Sequence, residues 1–351
     1  MDASLKVYAK DNAALSFPFA EAPAPGTLTD VAPGVKWLRM PLPFALNHIN
    51  LWVLDDGDGW TLIDTGINTD DTRRLWGELF AGPLAGKPVK RVLVTHFHPD
   101  HIGLAGWLSE THKAPLWITS CEMDAARFSH ALTKEVSGPA AAKVYLQADL
   151  ESAIPGAMAA HGGRYKRAVS DLPVDFVAID PAQPIRAAGV DWRVVVGEGH
   201  SPQMAALYSE QLGVLISGDQ VLPGITPNVS VRDSKPDSNP LKQFLDSLQR
   251  FRELPDETLT LPSHKMPFHG LRTRVDQLTR HHEDRLALAR ETCRRSATGG
   301  KVLKALFKRE LDSHQLAFAL GETVAHINYL VHAGDVKREE LPTGVYKYTI
   351  V

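Results

Sequence analysis

At about 100–200 residues per domain, the 351 residues of this chain allow two or three domains. With 44% hydrophobic and 23% charged residues it has the balance of an ordinary folded protein, which excludes a mostly disordered one, and its net charge of −3 argues against a scaffold for nucleic acid or an anionic membrane. Its two cysteines, Cys121 and Cys293, make no disulfide framework, and no run of about 18 apolar residues offers a spanning helix. The opening residues Met1 to Lys6 lack a basic stretch followed by an apolar one, so the expectation is a cytoplasmic protein.

Residues 1–34, rich in Ala and Pro, read as an arm or edge segment. Short apolar runs at Val35–Met40, Asn50–Leu54 and Trp60–Ile63 predict strands, the last two joined through the hairpin signal Asp55-Asp56-Gly57-Asp58-Gly59. Asp70–Phe80 has helical spacing and acidic residues at its start, and Arg91–Thr95 is a buried-strand pattern. Leu104–Glu110 predicts a helix and Leu116–Thr119 a strand, after which alanine-rich, helix-favouring sequence from about 121 to 171 reads as a helical insertion. Strands resume at Asp175–Ile179, Trp192–Val196, Ala206–Tyr208 and Val214–Ser217. The loop Leu222–Pro240, a helix over Leu241–Leu254 and a strand at Leu259–Pro262 follow. Beyond Leu271 helices fit Arg274–Arg295, Lys301–Glu310, Ser313–Leu320 and Glu322–His332, the first two broken by Gly299-Gly300, with a two-stranded wing at Val336–Val351. This divides the chain into an arm (1–34), a mixed strand-and-helix domain (35–270) and a small, mainly helical C-terminal domain (271–351).

Fifteen histidines draw notice by where they fall. His96-Phe97-His98-Pro99-Asp100-His101 places four metal-capable side chains at the end of a predicted strand, and imidazole with carboxylate is the ligand set of zinc and related first-row metals. His200 in Gly199-His200-Ser201-Pro202, Asp219 in Ser217-Gly218-Asp219 and His264 in Pro262-Ser263-His264 each follow an apolar run, where open sheets place functional groups.

These motifs, in this order over residues 35–270, resemble the metallo-β-lactamase-fold hydrolases, in particular their glyoxalase II-like branch. The resemblance implies an αββα sandwich with two divalent metal ions at one edge, zinc expected and iron or manganese as alternatives. It implies that His96, His98 and His200 bind the first ion and Asp100, His101 and His264 the second, with Asp219 bridging and Asp64 orienting a ligand histidine from behind. Asp219 stands where antibiotic-hydrolysing relatives use cysteine or serine, which argues against β-lactamase activity. His98 stands where flavin-partnered diiron relatives place a glutamate.

The chemistry implied is attack of a metal-bridging hydroxide on a thioester, ester or lactone carbonyl, with Asp100 and Asp219 as the catalytic carboxylates. The alternatives are a metal-dependent phosphodiesterase or RNA-cleaving nuclease, a mononuclear iron sulfur dioxygenase, and a non-catalytic ligand sensor. The insertion at 121–171 is expected over the metal edge, its apolar content suiting an acyl group. His48 is placed near the site in a structural role, Tyr208 in the core, and His269 behind the ligands or in a structural place; Cys121 is read as an inert thiol and His281-His282 as packing residues. Residues 271–351 carry 14 Lys/Arg against 10 Asp/Glu, and their order resembles a winged-helix appendage. The predicted helix Glu322–His332 offers few groups to read bases, so a packing or homodimerising role is expected, with neither nucleic acid nor membrane as partner. The glutathione-binding residues of true glyoxalase II have no counterpart that aligns here.

Overall fold

In the computed structural model, which describes residues 14–44, 46–156, 163–232 and 234–351, two β-sheets lie between layers of helices. The first sheet has the order β1 (Leu28–Ala32), β2 (Val35–Pro41), β3 (His48–Asp55), β4 (Trp60–Ile63), β5 (Val89–Leu93), β6 (Leu116–Ile118), β7 (Val177–Ala178). Its pairing is antiparallel as far as β4 and parallel from β4 to β7. The second sheet runs β12 (Leu259–Pro262), β11 (Val214–Gly218), β10 (Met204–Ser209), β9 (Val190–Gly197), β8 (Ile185–Ala187), with β11 and β12 parallel.

Residue alternation along each strand explains the layers, because successive side chains leave a strand on opposite faces. Trp37, Trp52, Ile63 and Leu93 of the first sheet meet Trp192, Leu207 and Ile216 of the second in one buried cluster. Their neighbours Leu38, Leu51, Leu62 and Val92 face the other way, against α1 (Asp70–Ala81), α3 (Ala105–His112) and α4 (Ser120–Ala131). Helix α2 (Pro99–Ile102) is a single short turn at the metal-capable motif. Val195, Ala206 and Leu215 of the second sheet pack on Phe244, Leu248 and Phe251 of α7 (Pro240–Arg252) and on Val275 and Leu278 of α8 (Leu271–Cys293). The result is the expected αββα sandwich.

The insertion contains α4, α5 (Lys134–Gln147), a 3-10 turn at Glu151–Ala153 and α6 (Arg164–Ala168). The expected helical character at 157–162 and the first 13 residues of the arm lie outside the described residues. Within the arm, Leu28–Ala32 is an edge strand of the first sheet.

The C-terminal region departs from the pattern read along the sequence in two places. Gly299 and Gly300 are the first residues of α9 (Gly299–Leu306), after a short strand β13 (Ala297–Thr298), and do not themselves break two helices. Glycine is needed there because Ala148, just past the end of α5, lies against them: a Cβ on Gly300 would fall 2.9 Å from the Ala148 carbonyl oxygen, which already accepts from Gly300 N–H. The second departure is that the two expected helices at 313–320 and 322–332 form one, α10 (Ser313–His332). Gly321 lies inside it, where helix propensity is lost by about 1 kcal/mol relative to alanine. The reason is close approach, since a Cβ there would lie 2.8 Å from Ser230 while the Gly321 carbonyl accepts from Val231 N–H. Strands β14 (Val336–Glu340) and β15 (Tyr346–Ile350) complete a three-stranded sheet with β13.

Helix α10 and the hairpin thereby hold the long loop between β11 and α7. Asn328 Nδ2 donates to the Pro236 and Ser238 carbonyls, and Arg338 pairs with Asp237 at 2.8 Å. Among the described residues no helix is long and apolar enough to cross a membrane.

Candidate metal centre

The strand ends deliver the side chains. Beyond β5 the chain continues through Val94 and Thr95 into His96, and beyond the neighbouring β4 it turns at Asp64, which has a φ of 61°. Left-handed backbone at a buried aspartate is strained and persists only where its surroundings fix it. Here Asp64 accepts from Thr95 N–H (2.8 Å) and from the Thr95 hydroxyl, and its Oδ2 accepts from His101 Nδ1 at 2.8 Å. One carboxylate therefore joins the ends of β4 and β5 and orients His101.

The other histidines are held in the same manner. His200 Nδ1 donates to the Asn228 carbonyl at 2.8 Å and His264 Nδ1 to the His48 carbonyl at 2.9 Å. Each ring so fixed presents Nε2 to the centre, the arrangement in which a backbone or carboxylate acceptor sets the tautomer of a ligand.

All seven residues singled out from the sequence converge. The ligand atoms of His96, His98, His200 and Asp219 lie within 4.8 Å of one another, and so do those of Asp100, His101 and His264. Asp219 stands between the two groups. Its Oδ2 lies 3.3 Å from His200 Nε2 and 4.0 Å from His96 Nε2, while its Oδ1 lies 3.5 Å from both His101 Nε2 and His264 Nε2. Asp100 Oδ2 is 3.4 Å from His264 Nε2.

These residues fit divalent metal ions. His101 Nε2, His200 Nε2 and Asp219 Oδ1 are buried and have no hydrogen-bond partner among the described residues, although buried polar atoms are ordinarily satisfied. His96 Nε2 and His98 Nδ1 face each other at 3.0 Å, close enough to share one cation. Charge is unevenly spread among these side chains. Burial, reinforced by neighbouring imidazoles, holds His96 and His98 well below the usual histidine range. Burial opposes charge on His101 as well, but Asp64, Asp219 and Asp100 outweigh it and raise His101 well above that range. Burial would likewise raise the Asp100 carboxyl, but His101 and His264 overcome it and bring it down to about 2.

Glycine allows the His200 loop to form. Gly199 has a φ of +89°, and a Cβ there would lie 2.3 Å from the Pro240 carbonyl and 2.6 Å from Phe244 N at the start of α7. Gly199→Ala is therefore expected to destabilise the fold by about 2 kcal/mol or more, as strain and overpacking add. It should also weaken metal retention, read by urea denaturation and elemental analysis. An unchanged midpoint would show that the loop can move without cost.

Two supports carry no local sequence signal. Glu122, at the start of α4 and fully buried, accepts at Oε2 from Phe97 N–H (3.0 Å) and at Oε1 from the Ser201 hydroxyl (2.7 Å) and Gln203 N–H (2.6 Å). It thus ties the His96–His98 loop to the His200 loop, and burial raises its carboxyl despite those bonds. Asn50 is the second: its backbone N–H donates to Ser263 and its Nδ2 to the Pro262 and Lys265 carbonyls, fixing both sides of His264.

The remaining residues fall outside the centre. His48 has the structural part expected of it, its Nε2 accepting from Lys265 N–H. Tyr208 is in the core, Cys121 is exposed, and His269 binds the Glu257 carbonyl. His282 contacts His326 at 3.2 Å, and His281 accepts from Arg285, inside the C-terminal helices.

The centre opens into a cavity of about 1150 Å³, with His98, Asp100, His200, Asp219 and His264 in one wall. Helix α5 contributes Ala141 and Val144, and α10 contributes Phe318 and Val324. Both the insertion and the C-terminal region therefore wall the site.

Comparison with known proteins agrees with this architecture. The family description "Metallo-beta-lactamase superfamily" matches residues 46–264, and "Metallo-beta-lactamase-like, C-terminal domain" matches residues 286–351. A solved beta-lactamase domain protein from Burkholderia ambifaria is 42% identical, covers 97% of this chain and 100% of its own, and superposes with a TM-score of 0.91. A metallo-beta-lactamase family protein from Thermus thermophilus is 29% identical over 91% of this chain and 99% of its own, with a TM-score of 0.76. The probable metallo-hydrolase YqjP of Bacillus subtilis (strain 168) is 25% identical over 308 residues, 84% of this chain and 91% of that one.

Proposed function

The chain belongs to the metallo-beta-lactamase superfamily and is a metallo-hydrolase; on that premise we propose that it binds two divalent ions and hydrolyses a thioester, ester or lactone. The observation that carries this reading is the two-sidedness of Asp219, whose oxygens each face a different set of imidazoles. His96, His98 and His200 would hold one ion and Asp100, His101 and His264 the other, with Asp219 shared. Zinc suits this nitrogen and oxygen set, and iron or manganese is the alternative. When bound, such ions supply water activated near neutral pH and Lewis-acid polarisation of the scissile bond.

The chain's own residues do the rest. Asp219 offsets cation charge between the two sets, and Asp100, kept ionised, is placed to accept a hydrogen bond from the attacking water. Asp64, Asn228 and His48 fix imidazoles by their outer nitrogens, so the centre is organised before substrate arrives. The apolar walls supplied by Ile67, Val144, Leu222, Ile225 and Phe318 suit the acyl portion of a small molecule.

Nucleic acid is outside the proposed substrate class. Arg338, one of three basic residues of the hairpin with Lys337 and Lys347, is paired with Asp237 and stacks on Tyr346. The C-terminal region, winged-helix-like in its order of elements, is assigned to holding the loop that carries Asn228.

Elemental analysis of metal-replete protein is expected to approach two ions per chain. A panel of thioesters, esters and lactones should be turned over, with phosphodiesters and RNA left intact. Occupancy that stays at one ion or fewer would overturn the two-ion reading and favour dioxygenase chemistry, while cleavage of RNA alone would overturn the acyl reading.

A further inference from the structure

The cavity contains a cation for which the hydrolytic centre has no use. Arg232 lies on the loop between β11 and α7 and lines the same cavity as His98, Asp100 and Asp219. The carbon of its guanidinium sits 4.3 Å from the centre of the Phe97 ring, beside the first ligand turn. That contact engages none of the five N–H donors an arginine carries. Among the described residues the guanidinium has neither a hydrogen-bond acceptor nor an ion-pair partner. Glu122, whose charge it feels, commits Oε2 to Phe97 and Oε1 to Ser201 and Gln203, and the Tyr165 hydroxyl donates to the Phe97 carbonyl. A half-buried guanidinium with open donors is costly unless something else satisfies it.

The other basic residues in the cavity wall differ. Arg338 is already paired with Asp237, and Lys143, Arg164 and Arg167 are exposed, where solvent and salt screen them. Arg232 is also held in place: its neighbour Val231 donates to the Gly321 carbonyl of α10, and Ser230 to Asn228 Oδ1. A fixed arginine with free in-plane donors matches a planar oxyanion, which it can grip with two parallel bonds.

We propose that Arg232 reads a carboxylate carried by the substrate close to its scissile bond, so that the substrate class is a monoanionic acyl compound whose apolar part lies between α5 and α10. One carboxylate is specified because its planar pair of oxygens matches the two parallel donors of this one guanidinium. The proposal rests on the hydrolase reading above and adds to it the feature by which substrates are told apart.

Two probes that differ only in that charge test it, p-nitrophenyl hydrogen succinate and its neutral methyl ester. The metal-replete wild type should prefer the acid. Arg232→Gln should lower kcat/KM for the acid by about 10- to 100-fold, mostly through KM, the size expected for a charged hydrogen-bonded contact. The loss on the methyl ester should be at least tenfold smaller, and Arg232→Lys should restore part of the preference. Equal losses on both probes would show that Arg232 serves only to balance Glu122, and would overturn the proposal. Calorimetric titration with succinamate, which carries one carboxylate, and with neutral succinamide separates the two readings. If neither ester is turned over, the hydrolase reading fails by itself, while succinamate binding that is lost in Arg232→Gln still supports the carboxylate site. Succinamate binding that is absent from the wild type, or unchanged in the variant, overturns it.

Discussion

Asp219→Ala is expected to lower kcat/KM by about a thousandfold or more and to reduce metal content at both sets of ligands, not at one alone. The expectation follows from position. Asp219 is 6% exposed, and its two oxygens reach 3.3 Å from His200 Nε2 on one side and 3.5 Å from His101 and His264 Nε2 on the other. On the two-ion reading proposed above, removing it would take away one ligand atom from each set and the negative charge that would lie between two dications. Burial would favour a neutral carboxyl, yet the surrounding imidazoles hold Asp219 well below the usual range. Asp219→Asn separates the contributions: it keeps the shape and one oxygen, and should retain part of the metal while still losing most activity. Elemental analysis with steady-state kinetics reads both. An Asp219→Ala protein with full metal and normal turnover would remove the shared-carboxylate role.

Much of this centre is legible in the sequence because strand ends are legible. Val92-Leu93-Val94 before His96, Val214–Gly218 before Asp219 and Leu259–Pro262 before His264 are apolar runs that stop at a hydrophilic residue, and parallel neighbours such as β4 with β5 and β11 with β12 bring their ends to one edge. The grouping of candidate ligands follows from the family resemblance and not from spacing alone. The supports are not legible in the same way. Glu122 sits in the first turn of a helix, where acidic residues are common for reasons of helix dipole alone, so nothing local separates it from a solvated cap. Its role depends on Phe97 and Ser201, which are distant in sequence and meet only in the fold. Gly321 and Gly300 read as helix breakers because propensity is local, whereas their reason is contact with Ser230 and Ala148 from other parts of the chain. Arg232 carries no sequence signal at all, since only the fold shows that its guanidinium meets no acceptor among the described residues.

Glu122→Ala is the change expected to cost the most stability. It removes a fully buried carboxylate and leaves three donors, Phe97 N–H, the Ser201 hydroxyl and Gln203 N–H, without their acceptor. Each unsatisfied buried donor costs about 1–3 kcal/mol, and water entering the space left behind recovers part of that. A net loss of about 3 kcal/mol or more is therefore expected, read as a lower urea midpoint at unchanged slope. The same change frees the His96–His98 turn from the His200 loop, so kcat/KM should fall by about 10- to 100-fold and metal affinity with it, the range seen when the support of a ligand is removed. Glu122→Gln is the sharper comparison. Its side chain has the same length, but Oε1 and Oε2 of the glutamate both receive donors, so whichever way the amide is turned its NH2 must face an N–H or hydroxyl that needs an acceptor. The amide variant should thus fall between wild type and alanine in midpoint, and excess metal should restore activity to it before it restores activity to Glu122→Ala. A Glu122→Ala protein with wild-type midpoint and wild-type metal affinity would show that the two ligand loops are fixed by their own strands, and that Glu122 only fills the space between them.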